Sequence, residues 1–322
     1  MLLLLTMAGL VLFSFQSLFA ADYPAKVITI IVPFTAGGPT DTVARLMAVP
    51  MSKALNTQVI VENVDGAGGT VGANRAAKSA PDGYTIFLHH IGMATAPALY
   101  RKLPYNPITD FEPIGLINEV PMTFVAKKDF PAKNLKELIT YVKANKAKVN
   151  LANAGLGAAS HLCGTLFMTA IETDLTTIPY KGTGPAMNDL LGGQVDFMCD
   201  QTTNTTSQIK AGKIKVYGVT TKKRVPSLPD VPTMDEAGLK GFEVAIWHAF
   251  YAPKGTPKPI IDKLTKTVQV ALKDNMVKQR FGDLGTEPVS EDRATPEALR
   301  KHLKAETDKW GPILKKAGVY AD

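Results

Sequence analysis

The sequence predicts an α/β fold, and three observations predict it. Apolar strand-like runs alternate with helix-like segments along nearly all of the 322 residues, as in sheets joined by crossover helices. One unit recurs at 34–41, 153–161, 180–185 and 199–205: an apolar strand, a turn of small residues, then a helix start. The length suits two domains of about 100–150 residues each.

In chain order, "MLLLLTMAGLVLFSFQSLFAA" carries no charge and ends on small residues before "DYP". This predicts a secretory signal peptide over residues 1–20, although the positive n-region is missing. Cleavage is expected after Ala20, with Ala21 as the alternative. No second apolar run is long enough to span a bilayer. The strand "VITIIVPF" breaks at "AGG" into the helix "DTVARLMAVPMSKAL", interrupted at Pro50. "QVIVENV" reads as a short strand, "TVGANRAAKSA" as a helix, and "PDG" as the turn into strand "YTIFLHH". Pro97, Pro104, Pro107 and Pro113 rule out one helix over 94–117 and predict a crossing segment with short pieces of structure.

"PMTFVAKK" follows as a strand, then "NLKELITYVKAN" as an amphipathic helix with Leu135, Leu138, Ile139 and Val142 on one face. "VNLANAG" leads into helix "SHLCGTLFMTAI". The strands "LTTIPY" and "VDFMCD" flank helix "PAMNDLLGG", where Pro185 suits a first helical position and Gly192 and Gly193 mark the stop. "KVYGVT" precedes a Pro-rich stretch at 225–232. From "AIWHAFYAPKG" onward, two long helical patterns follow, "KPIIDKLTKTVQVALKDN" and "PEALRKHLKAETDKWGPILKKAG".

With 45% hydrophobic and 20% charged residues the chain is ordinary for a globular protein. It carries 36 Lys and Arg against 29 Asp and Glu, a net +7. The surplus is dispersed: Lys222, Lys223 and Arg224 form the only tight cluster, without the aromatic-laced stripe that nucleic acid would require.

The small-residue turns carry the chemistry. Parallel sheets bind ligands beyond the carboxyl ends of their strands. A helix start presents unpaired N–H groups and the positive end of its dipole, and glycine allows close approach. The main-chain amides of Ala36, Gly37 and Gly38 are therefore expected to hold a carboxylate or phosphate, with Asp41 pointing away. "GLGAAS" lacks the third glycine of a dinucleotide fingerprint, and no "GK[ST]" exists for a P-loop. "SHLC" sets Ser160, His161 and Cys163 side by side, but no nucleophile elbow surrounds them. The five histidines, His89, His90, His161, His248 and His302, show no metal-ligand spacing. No catalytic constellation, metal or cofactor is expected, and the chain does not read as an enzyme. Cys163 and Cys199 are either one disulfide or two buried free thiols, since sequence alone does not give their distance.

Together, "VPFTAGGPTDTVAR", "APDGYTI", "NAGLGAASHL", "PYKGTGPAM", "GGQVDFMCD" and "SLPDVPTMDEAGL" resemble the Bug-type extracytoplasmic solute-binding proteins of tripartite tricarboxylate transporters. The likeness covers nearly the whole mature chain, in order. It implies a two-domain periplasmic-binding-protein (type II) fold with a ligand cleft between domains. Domain 1 would span 22–123 plus 247–322, and domain 2 would span 124–246. It implies a periplasmic monomer that takes a small carboxylate to membrane transporter subunits. The alternatives are an enzyme acting on a small carboxylated metabolite, or a binding protein serving a membrane sensor. Two loops would grip the ligand through main-chain amides and bridging waters: Phe34, Ala36, Gly37 and Gly38 in one, Gly155, Gly157, Ser160 and His161 in the other. Candidates outside the loops are His89, His90, Asp200, Thr202, Trp247 and His248. The loops contain no Arg or Lys, which favours a mono- or dicarboxylate, aromatic acids included; Lys181 is the nearby cation that keeps a tricarboxylate open.

Overall fold

The computed structural model describes residues 23–316, 318 and 320; the signal-peptide reading lies outside them. Strand β1 (Ile28–Val32) buries Ile28, Ile30, Ile31 and Val32 and leaves only Thr29 half-buried, as a strand covered on both faces should. It pairs in parallel with β2 (Val59–Asn63) and β3 (Thr85–His90). Crossover helices α1 (Pro39–Leu55) and α2 (Thr70–Ala77) connect the three. Helix α1 runs unbroken through Pro50, where an interruption was expected. The proline forfeits one backbone bond near the helix end, while buried Met47, Pro50, Met51 and Leu55 keep that turn packed.

Helix α3 (Gly92–Leu99) contains Pro97, and the chain then turns into β4 (Phe111–Lys127), a strand of 17 residues. The sequence reading saw only its second half. The prolines there argue only against one helix and for a crossing segment with short pieces of structure; register irregularities at Pro113/Gly115 and Leu116/Asn118 accommodate the strand's missing donor. β9 (Ala245–Pro253) lies antiparallel between β3 and β4, so the sheet is mixed where a parallel one was expected.

β4 joins two sheet halves. As far as Pro121, opposite Ala245, it pairs with β9. From Met122 it pairs with β7 (Phe197–Gln201) and, from Thr123, with β8 (Ile214–Val219), with a register irregularity between Phe124 and Val125. β7 continues in parallel to β5 (Asn150–Asn153), and β5 to β6 (Thr176–Pro179). Short β10 (Glu287–Pro288) pairs with the first half of β4. We call the halves the first and second lobe.

Helices α4 (Leu135–Ala144), α5 (Ala159–Ala170), α6 (Thr183–Leu191) and α7 (Thr202–Lys210) belong to the second lobe. Asn134 caps α4, its side chain accepting from the Glu137 N–H at 2.9 Å. Helices α8 (Lys258–Lys273), α9 (Asn275–Asp283) and α10 (Pro296–Lys316) return to the first lobe, α8 against α1 and α10 against α3. One apolar cluster runs from Phe87 through Phe124 to Phe167, and a second fills the space between the first sheet, α1 and α8. Cys163 and Cys199, both fully buried, are bonded with Cα atoms 6.1 Å apart, tying α5 to β7. Of the two alternatives, the disulfide is the one present.

Candidate functional site

Four helices start at one point between the lobes. β1 feeds α1, β5 feeds α5, β6 feeds α6 and β7 feeds α7. Pro39 and Thr40, Ala159 and Ser160, Thr183, and Gln201 line one cavity with Phe34, His90, Ala154 and Asp200. Each helix start directs unpaired amides and a positive dipole end toward this region. Among the described residues, neither Lys nor Arg lines the cavity. The arrangement favours an anion without offering it a cationic side chain. The room for water centres is about 20 Å³, roughly one water.

The first loop departs from expectation at Asp41. Its carboxylate turns back instead of away, and Oδ2 accepts the Gly37 N–H at 2.9 Å. Arg45 Nε donates to the same oxygen at 2.9 Å, and Asn63 Nδ2 donates to Oδ1 at 3.0 Å. Burial pushes the Asp41 pKa up, but the bonds from Arg45, Gly37 and Asn63 outweigh it and hold the group below the usual carboxylate range. Of the loop candidates, Phe34 reaches the cavity wall; Ala36 and Gly37 are exposed, and Gly38 faces the amide of Gly184.

In the second loop, neutral side chains take up the amides. The Ala154 N–H donates to Ser160 Oγ (2.8 Å), Gly155 N–H to Asn153 Oδ1 (2.9 Å), and Gly157 N–H to His161 Nδ1 (3.4 Å). Ser160 lines the cavity, whereas Gly155 and Gly157 abut Gly68 and Tyr100 of the first lobe. Burial drives the His161 pKa down to about 4, which leaves a neutral ring bonded to its own loop.

His89 and His90 end β3 with their rings 4.6 Å apart, and both rings pack against Phe34. His90 is in the cavity wall, its ring stacked 4.9 Å from that of Phe34. His89 lies against Phe34 and Phe87 and does not line the cavity. The Gly92 N–H donates to His90 Nδ1 at 2.9 Å, so the neutral ring carries its proton on Nε2. Burial lowers the His90 pKa to about 3, making it an uncharged donor.

Asp200 is the one acid in the wall. Its Oδ1 accepts the Gln201 N–H at 2.8 Å and its Oδ2 accepts Asn204 Nδ2 at 2.6 Å. Burial nevertheless raises its pKa to about 6. His248 sits behind Thr40: its Nε2 is 3.3 Å from Thr40 Oγ1 and its Nδ1 is 3.0 Å from Asn118 Oδ1 of β4. Thr202 Oγ1 is spent on the Gly285 carbonyl at 3.1 Å. Trp247 donates to Glu306 at 3.3 Å and packs on His302, away from the cavity. Lys181 is also outside the cavity, 76% exposed and 3.6 Å from Asp65.

Sequence reasoning missed Pro39, Thr40, Ala154, Ala159, Thr183 and Gln201 as wall residues. The signal existed: all four repeats of the strand–turn–helix unit point here, while only two were read as ligand loops. Among the described residues no group of three or more His, Cys, Asp or Glu is placed to hold a metal ion. Nor is any helix among them long and apolar enough to cross a membrane.

Residues 43–319 match the family model described as the tripartite tricarboxylate transporter family receptor. The periplasmic binding protein BugD is 57% identical, with a TM-score of 0.91 over 92% of this chain and 99% of that one. MatC from Rhodopseudomonas palustris, solved with bound malate, is 42% identical, with a TM-score of 0.88 over 91% of this chain and 100% of that one. An R. palustris protein solved with adipate is 34% identical, with a TM-score of 0.88 over 93% and 99% of the two chains. The periplasmic-binding-protein fold expected from the sequence is therefore the one present. The chain belongs to the Bug-type receptors of the tripartite tricarboxylate transporter family.

Proposed function

We propose that this protein captures a small mono- or dicarboxylate, aromatic acids included, between its lobes and delivers it to the membrane subunits of a tripartite tricarboxylate-type transporter. The observation that carries this reading is the convergence of four helix starts on a cavity whose wall, among the described residues, has no Lys or Arg. The malate and adipate bound to two of its structural neighbours support it. The role is binding without chemistry, performed by an exported, periplasmic monomer whose signal peptide ends at residue 20.

The cavity's 20 Å³ falls far short of the roughly 300–1,000 Å³ of ordinary ligand pockets. A ligand therefore enters with the lobes apart and is enclosed as they close. We assign the moving bodies to residues 22–123 plus 247–322 and to 124–246, with the hinge where β4 and β9 leave one another at Pro121 and Ala245. Calorimetry with malate, adipate, benzoate and the uncharged diamide of adipate tests the reading. At least one carboxylate should bind and the diamide should not. Equal binding of adipate and its diamide, or no binding by any acid, would overturn it.

A further inference from the structure

We propose that the lobes are held shut by a latch beside the ligand cavity but outside its wall, where the turn at 66–69 meets the turn at 155–157, and that this latch sets how tightly any ligand is held. The inference rests on the two-lobe reading above. The Tyr100 hydroxyl lies 2.7 Å from the Ala67 carbonyl of its own lobe and 2.8 Å from the Leu156 carbonyl of the other. It has one proton, so closure brings a second acceptor to a donor already positioned by the first.

Gly68 makes this approach possible. It has φ +61, and a Cβ there would fall 1.7 Å from the Leu156 oxygen. No side chain fits in that gap. The contact is backbone on backbone, since a Cβ on Gly155 would likewise lie 3.2 Å from the Gly68 nitrogen. On another part of the rim, the Thr35 N–H donates to the Lys181 carbonyl at 3.2 Å. None of Tyr100, Ala67, Gly68 or Leu156 lines the cavity.

Contacts made only in the closed form raise its population whatever the cavity contains. Apparent affinity scales with the fraction of protein in the binding-competent form. The latch thus tunes affinity without touching the ligand, and ligand selection and closure strength become separable properties.

The test compares the wild type with Gly68→Ala, Tyr100→Phe and, as a control for positive φ alone, Gly212→Ala. Gly212 has φ +63 and nothing within 4 Å of a Cβ. Each carries spin labels on Lys78→Cys and Lys146→Cys, exposed positions on the two lobes, and distances are measured with and without malate. The wild type and Gly212→Ala should show a short-distance population even without malate. Gly68→Ala should lose it, and Tyr100→Phe should reduce it severalfold. With malate, Gly68→Ala should bind at least tenfold more weakly and release faster. Equal short-distance populations in Gly68→Ala and Gly212→Ala would overturn the latch, as would the absence of any such population in the wild type. If Gly68→Ala does not fold, an unchanged population in Tyr100→Phe has the same force. Failure of malate, adipate and benzoate alike to bind, with the short population intact, counts against the carboxylate reading and leaves the latch standing.

Discussion

The two loops that face each other across the cleft look alike in sequence but are anchored by different forces. The first is gathered by a buried carboxylate: Asp41 holds Gly37, Arg45 and Asn63. In the second, Asn153, Ser160 and His161 hold the amides as neutral partners, and its helix is fixed covalently to β7 through Cys163 and Cys199. The first anchor therefore depends on proton concentration and the second on redox state. A charge-free second anchor leaves the helix starts and the Asp200 carboxyl as the sources of field an incoming anion meets on that side.

The sharpest way to break this comparison is to remove the covalent anchor. With the cysteines 36 positions apart, the chain-entropy model gives a loss of about 3–4 kcal/mol for Cys163→Ser with Cys199→Ser. Urea unfolding measures it, and a loss below about 1 kcal/mol would remove the distinction between the loops. The next largest effect is expected from Asp41→Ala, at about 1–2 kcal/mol, because the part-buried Gly37 N–H and the Asn63 amide lose an ionised acceptor. Its acid dependence fixes the sign. The folded pKa of Asp41 is depressed from 3.8, so its contribution is fully present above the unfolded value and is lost as pH falls through the folded one. Urea midpoints between pH 2 and 6 should therefore slope less in Asp41→Ala than in the wild type. The disulfide's contribution should be flat over that range. Parallel slopes would show that Asp41 is not the acid-sensitive anchor.

Legibility in the sequence followed the range of the forces involved. Elements defined by local patterning were readable: the apolar run of β1, the Leu135–Leu138–Val142 face of α4 and the strand–turn–helix units. Elements whose stability comes from distant partners were not. The first half of β4 reads as Pro-broken, and only pairing with β9, more than a hundred residues away, makes it a strand. At the site, the turns were legible as turns, but side-chain direction was not. Nothing local separates His90 in the wall from His89 outside it, or shows that Trp247 faces α10. The return of Asp41 to its own loop depends on Asn63, supplied by β2.

The smallest expected effect concerns Asp200, and it sharpens the comparison because its sign is opposite to that of Asp41. Burial lifts its pKa to about 6, above the unfolded 3.8. Between those values the folded chain keeps a proton that the unfolded chain has released, so stability falls as pH rises. Across pH 5 to 7 the loss should be about 1 kcal/mol. Asp200→Asn should flatten that slope even though the amide, with one acceptor oxygen, serves Gln201 and Asn204 less well than the carboxylate does. Ligand binding should report the same group. An ionised Asp200 and a bound carboxylate in one small cavity repel each other, so binding near pH 7 should take up a proton. Calorimetry of malate binding in two buffers of different ionisation enthalpy measures that uptake directly. It should vanish in Asp200→Asn, and affinity for malate should weaken on the order of tenfold from pH 6 to pH 8 in the wild type alone, about 1.4 kcal/mol. Proton uptake that persists in Asp200→Asn would move the titrating group elsewhere. His90, the other ionisable side chain in the wall, is held neutral by burial before the ligand arrives, and His90→Gln would show whether the bound anion protonates it.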